Sequence, residues 1–222
     1  MLEKNNMVAI RALAKEFLNF KVAYSEYGIE IHPYNVRGEE GTPRFEKWKS
    51  DMTKMIDTID KVETVLFIMH PAWHMMFLQR AKPYLSRETF IKCFASSFIE
   101  AEYPTLGSSV PINDLVDMFK ECGSAALMDK DERKAYKRFP NMVRIYRGIG
   151  FDEEKHLMSL SWTLQPKIAE MFASRTSEQG KVYTAVIEKK HILAYFDRRK
   201  EEEIIVDPKY LKDITLYKDL SI

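Results

Sequence analysis

Met142-Val143-Arg144-Ile145-Tyr146-Arg147-Gly148 is an apolar run that closes on an arginine followed by glycine. The run reads as a strand, and an arginine at its end offers a fixed, permanently charged fork suited to a phosphate or a carboxylate. Gly148 is expected to let a ligand approach the backbone closely. Further along, Leu160-Ser161-Trp162-Thr163 places two hydroxyls on one side of an extended segment, and Gln165 to Ala173 reads as a helix with Pro166 in its first turn. The third stretch is Glu201-Glu202-Glu203-Ile204-Ile205-Val206. As a strand it puts Glu201 and Glu203 on one face and Glu202 on the other, and the two like charges need a cation nearby to offset their repulsion. Read together, the three stretches describe one site made of a guanidinium, hydroxyls and carboxylates.

The residues around them build a sheet. Lys181 to Glu188 alternates as a strand, Ile192 to Phe196 is a second apolar run after the charged turn at Lys189-Lys190-His191, and Asp213 to Tyr217 is a last strand after Asp207-Pro208. Asp197 to Lys200, just before the glutamates, is short and basic, with Arg198, Arg199 and Lys200. A basic turn hints at an acidic surface on a target, while a solvated turn is the commoner explanation.

In these motifs and their order, Tyr146-Arg147-Gly148, Ser161-Trp162-Thr163 and Glu201-Glu202-Glu203, the chain resembles the ADP-ribosyltransferases of the Arg-Ser-Glu class, which include bacterial toxins and phage-encoded modifiers. Trp162 and Thr163 depart from the family's usual Ser-Thr-Ser. The resemblance covers roughly residues 140–222, more faintly 80–140. It implies an α+β fold with an ADP-ribosyltransferase-like split β-sheet core preceded by a helical N-terminal region. The expected division is a helical region over 1–70 and a transferase-like domain over 71–222, with helices over 71–140 and the NAD-binding strands over 141–222.

The resemblance also implies roles. NAD is the substrate, contacted by Tyr146, Arg147, Gly148, Ser161, Trp162, Thr163 and Glu203, with Arg147, Ser161, Glu201 and Glu203 as the catalytic set. Glu203 is the catalytic carboxylate, Arg147 holds NAD near its phosphates and Ser161 supports the glutamate. Glu201 goes in the family with arginine as the modified side chain. The implied activity is mono-ADP-ribosylation of a protein. An NAD glycohydrolase, a nucleic-acid ADP-ribosyltransferase and an inactive binding module of the same fold stay open as alternatives. Taken singly, Arg147 could be a structural ion-pair partner and the glutamates a charged strand edge that discourages aggregation.

Elsewhere the chain reads as helices: Met7 to Tyr24, Phe45 to Leu66, Ala72 to Lys82, Arg87 to Ala101 after a cap at Ser86, Asn113 to Cys122 ending at Gly123, and Lys130 to Arg138. A glycine- and proline-punctuated stretch, Gly28 to Pro43, separates the first two. His70 and His74 are four apart, but Pro71 interrupts the helix that would align them, so no metal site is expected. Lys134, Lys137 and Arg138 read as a solvated helix face rather than a nucleic-acid patch.

The 222 residues, 45% hydrophobic and 30% charged with a net charge of +1, suit a globular protein with no global pull toward nucleic acid or membrane. Cys93 and Cys122 lie far apart and read as plain thiols of a reducing compartment. The polar start is not read as a signal peptide, and Val65 to Phe77 is too short and interrupted to span a bilayer. The expected location is the cytoplasm of the producing or an infected cell.

Overall fold

A computed structural model describes residues 4–20, 23–24, 30–101, 110–150, 156–175 and 179–220. Part of the expected Met7–Tyr24 helix (21–22) and the start of the Gly28–Pro43 stretch lie outside them. The chain is α+β and divides into two compact units, Met1–Pro111 and Ile112–Ile222.

The first unit is built from helices α1 (Met7–Glu16), α2 (Pro43–Thr58), α3 (Val62–Ile68), α4 (His74–Ala81) and α5 (Arg87–Glu100), with a two-residue antiparallel pair of strands, β1 (Ala23–Tyr24) and β2 (Glu30–Ile31). α4 and α5 pack with α1 and α3, so residues 71–100 belong with the N-terminal helices; the division lies at 111/112 rather than the expected 70/71. α1 stops at Glu16 and gives way to a 3-10 turn, and the long helix expected over Phe45–Leu66 is cut at Ile59–Lys61. There Ile59 is extended and buried, and its carbonyl accepts from Arg11 at 3.0 Å. Burying Ile59 outweighs one more helical turn. α5 starts where Ser86 predicts, with its Oγ accepting from the Thr89 N–H at 3.1 Å. Phe17, Trp73 and Phe77 meet edge to face in the core, and the Trp73 indole donates to the Ile31 carbonyl at 2.9 Å.

The second unit is a six-stranded antiparallel sheet with α6 (Ile112–Cys122), α7 (Ser124–Leu127), α8 (Lys130–Lys137) and α9 (Pro166–Ser174). Its strands are β3 (Met142–Ile149), β4 (Ser161–Thr163), β5 (Lys181–Glu188), β6 (Ile192–Phe196), β7 (Glu203–Val206) and β8 (Lys212–Asp219), in the order β6-β7-β4-β3-β5-β8. β3 and β5 pair along eight residues, whereas β3 meets β4 at one registered pair, Tyr146 with Thr163. One face buries Val143, Ile145, Trp162, Ala185, Ile187, Ile204 and Val206 in a common cluster. α9 packs against β3 and β5, where Ala169, Ala173 and Val182 are fully buried. α6, α7 and α8 cover β6, every residue of which is buried. The opposite edge, β8, is exposed along almost its whole length, and its pairing with β5 is irregular in two places.

Among the described residues no helix is long and apolar enough to cross a membrane. Cys93 and Cys122 are buried and are not joined in a disulfide.

Candidate active site

Register brings the expected residues together at the β3-β4-β7 junction. Tyr146, Thr163 and Glu203 stand in one row across the three strands, and Ser161 lies one pleat along from Thr163 on the same face. Ser161 Oγ donates to Glu203 Oε1 at 2.5 Å. On β3, Arg147 keeps step with Val143 and Ile145, so by strand alternation it leaves on the face opposite Ser161 Oγ. Its guanidinium reaches Ser161 through the main chain: Nη1 donates to the Ser161 carbonyl, and Nε donates to the His156 carbonyl at 2.9 Å. A guanidinium and a carboxylate from residues 56 apart in sequence are thus joined through one serine.

Glu203 is the electrostatic centre of the arrangement. Burial pushes its carboxyl up to about 7 from an ordinary 4.5, Glu201 adds to the rise, and the Ser161 hydrogen bond and the charges of Arg199 and Arg147 oppose it. A carboxyl poised near neutrality on a half-buried strand end is unusual for a purely structural position and common where a group must change or hold charge during a reaction.

The glutamates are not presented by strand alternation as expected. β7 begins only at Glu203, and Glu202 takes a left-handed conformation with φ 44°. Lys200 is left-handed as well, with φ 60°. The 197–202 turn is held in this shape from several sides. Thr163 Oγ1 donates to the Glu201 carbonyl at 2.6 Å and accepts from the Gln165 N–H at 3.0 Å. Gln165 Nε2 donates to Glu202 Oε2 at 2.9 Å, and the Leu164 N–H donates to the Glu202 carbonyl at 3.1 Å. On the other side, Glu132 of α8 accepts from the Asp197 N–H at 3.0 Å and from Arg198 Nη2 at 3.2 Å. Arg199 Nη2 lies 2.9 Å from Glu201 Oε1. All three cations of the basic turn therefore have partners within the chain, Lys200 lying 3.4 Å from Asp197 Oδ2, and Lys200 is the exposed one.

Three expected ligand contacts have other roles. Gly148 makes room for a helix: a Cβ there would lie 1.8 Å from the Ala169 carbonyl oxygen of α9. Trp162 is buried in the sheet core, its indole donating to the Ser159 carbonyl at 3.0 Å, because alternation turns it away from Ser161 and Thr163. The Thr163 hydroxyl is buried in the clamp on Glu201 instead of facing outward. Tyr146 is partly buried and meets Tyr217 edge to face at 5.0 Å.

Sequence reasoning misses Glu132, Gln165 and Arg198. Asp129 to Glu132 spells a capping box, and the structure forms one, which is the single local signal pointing at Glu132. Comparison with protein-family models, curated proteins and solved structures finds no significant match.

His70 Nδ1 accepts from the Ala72 N–H at 3.3 Å, and His74 Nε2 lies 2.9 Å from the Leu66 carbonyl. Among the described residues no group of three or more His, Cys, Asp or Glu side chains converges to hold a metal ion.

Proposed function

We propose that the chain is a mono-ADP-ribosyltransferase that cleaves NAD between nicotinamide and ribose and passes ADP-ribose to a protein, with arginine as the acceptor side chain. The observation that carries this reading is the Arg147–Ser161–Glu203 linkage, which assembles three segments distant in sequence around one carboxylate. The narrow contact between β3 and β4 suits the split sheet of that fold.

The chemistry follows from charge. Breaking the nicotinamide–ribose bond develops positive charge on the ribose, as in glycoside hydrolysis, and a fixed anion beside it lowers the barrier. Glu203 in its ionised form supplies that anion, and the Ser161 hydroxyl, donating to it, favours ionisation and fixes its direction. Arg147, its side chain anchored on two main-chain carbonyls, supplies a localised cation for the diphosphate. Glu201 stands beside Glu203 to take the proton of the incoming nucleophile or to position it. The clamp from Thr163, Gln165 and Glu132 keeps both glutamates in place, so little reorganisation is needed at the moment of reaction.

Incubation with NAD labelled in the adenylate tests the reading. The expected result is nicotinamide release with label on protein, lost by about a hundredfold or more in Glu203→Gln. Free ADP-ribose alone would mark a glycohydrolase, label on nucleic acid would mark the other acceptor class, and no turnover by the wild type would refute the proposal.

A further inference from the structure

The strands of the second unit leave part of one sheet face open, and that part is cationic. Registered partners share a face, as do residues two apart on a strand. Arg144 of β3, Val186 of β5 and Lys212 of β8 therefore stand in one row, with Met142 and Glu188 in the next. α9 covers the same face further along, at Gly148 and Val182, and leaves Met142, Arg144 and Lys212 exposed. The one carboxylate in the two rows, Glu188, is shared by Lys190 at 2.7 Å and Lys212 at 2.6 Å, which hold it down at about 2. Lys189 Nζ donates to the Lys137 and Phe139 carbonyls at 2.9 and 3.1 Å, which brings the last turn of α8, with Lys137 and Arg138, to this end of the sheet. Lys137, Arg138 and Arg144 are exposed, and among the described residues no ion pair or hydrogen bond engages their side chains. With Asp213 beside Lys212 included, six cations meet two carboxylates here, in a chain whose net charge is only +1.

We propose that this face binds the phosphodiester backbone of a nucleic-acid duplex without reading its sequence. Neighbouring strands lie about 4.8 Å apart, so Arg144 and Lys212, two strands apart in one row, span about 10 Å, which matches about three phosphates of one strand at about 3.4 Å of axis each. The unengaged guanidinium forks of Arg138 and Arg144 each suit a phosphate held by two N–H groups. A flat sheet face does not enter a groove, so its contacts go to the backbone rather than to base edges. An acidic protein fits less well: a protein interface needs an apolar centre, and Met142 and the half-buried Val186 are the only apolar side chains in the two rows. A single strand also fits less well, because no aromatic ring stands in these rows for bases to stack on. The inference is independent of the activity proposed above, since it concerns binding and needs no turnover.

Fluorescence anisotropy of the full chain with a fluorescein-labelled DNA duplex of mixed sequence tests it. The expected result is binding at about 50 mM KCl that weakens about fortyfold by about 200 mM, the salt dependence of about three phosphate contacts. Arg144→Glu and Arg138→Glu are each expected to weaken binding by about fivefold or more and to lower the slope of log affinity against log salt by about 1. Lys54→Glu, the same charge change at an exposed position of α2, is expected to leave binding within about twofold of wild type. Absence of duplex binding at the lower salt overturns the proposal, and so do equal effects of the three variants. Tighter binding of a single-stranded oligonucleotide or of polyglutamate overturns it as well, and would mark the face as a site for unpaired strands or for acidic protein.

Discussion

Glu203→Gln should make the protein more stable at alkaline pH while removing its activity. The ordinary carboxyl value of 4.5 applies to the unfolded chain, and burial raises Glu203 to about 7 in the folded one. The gap of about 2.5 pH units corresponds to about 3 kcal/mol at about 1.36 kcal/mol per unit. Because the folded value is the higher one, the folded state holds its proton longer than the unfolded state. The stabilisation is complete below pH 4.5 and is lost as pH rises to about 7, after which it stays lost. Glutamine cannot ionise, so the variant escapes this loss. Its stability relative to wild type should therefore rise by about 2 kcal/mol or more between pH 5 and pH 8, with about 3 kcal/mol as the ceiling because water reaches part of the side chain. Urea unfolding of both proteins at the two pH values, followed by far-ultraviolet circular dichroism, measures the difference, since titrating groups not coupled to Glu203 cancel. Parallel pH dependences in the two proteins would refute the assignment of a raised, charge-strained carboxyl at this position.

Activity in the wild type should climb about tenfold from pH 6 to pH 8 as Glu203 ionises, read from initial rates of nicotinamide release. Ser161→Ala removes the hydrogen bond that favours the ionised form, so that profile should move to higher pH and the rate at pH 7 should fall about tenfold or more; an unshifted profile counts against the Ser161–Glu203 bond. Gly148→Ala drives a methyl group into the Ala169 carbonyl and should cost about 3 kcal/mol of unfolding free energy in urea titration, with loss of β3–α9 packing. Glu132→Ala leaves Arg198 and the Asp197 N–H without their shared partner and should cost about 2 kcal/mol, with faster proteolysis within 197–202.

Much of this architecture is legible where the signal is local. Ser86 marks the start of α5, Pro166 the first turn of α9, Gly123 with φ 81° the end of α6, and the alternation of Lys181–Glu188 gives β5 its full span. The three site motifs are legible as residue types, and the structure brings Arg147, Ser161 and Glu203 together. What escapes is set by tertiary contact. The break at Ile59 follows from burial that no periodicity reveals. The left-handed turns at Lys200 and Glu202 carry no glycine or asparagine to announce them, being enforced by Gln165, Thr163 and Asp197. Gly148 in sequence suits a ligand or a helix equally well, and only the position of Ala169 decides for the helix.

The irregular outer strand β8 has a consequence for how other molecules meet the second unit. Lys212, Asp213, Lys218 and Asp219 line it, Asp213 is left-handed with φ 51°, and its register with β5 slips twice. A flank so charged and kinked offers no straight template for an incoming ribbon of backbone, while the far flank lies beneath three helices. Addition of a strand from another molecule is therefore disfavoured at both flanks of this sheet.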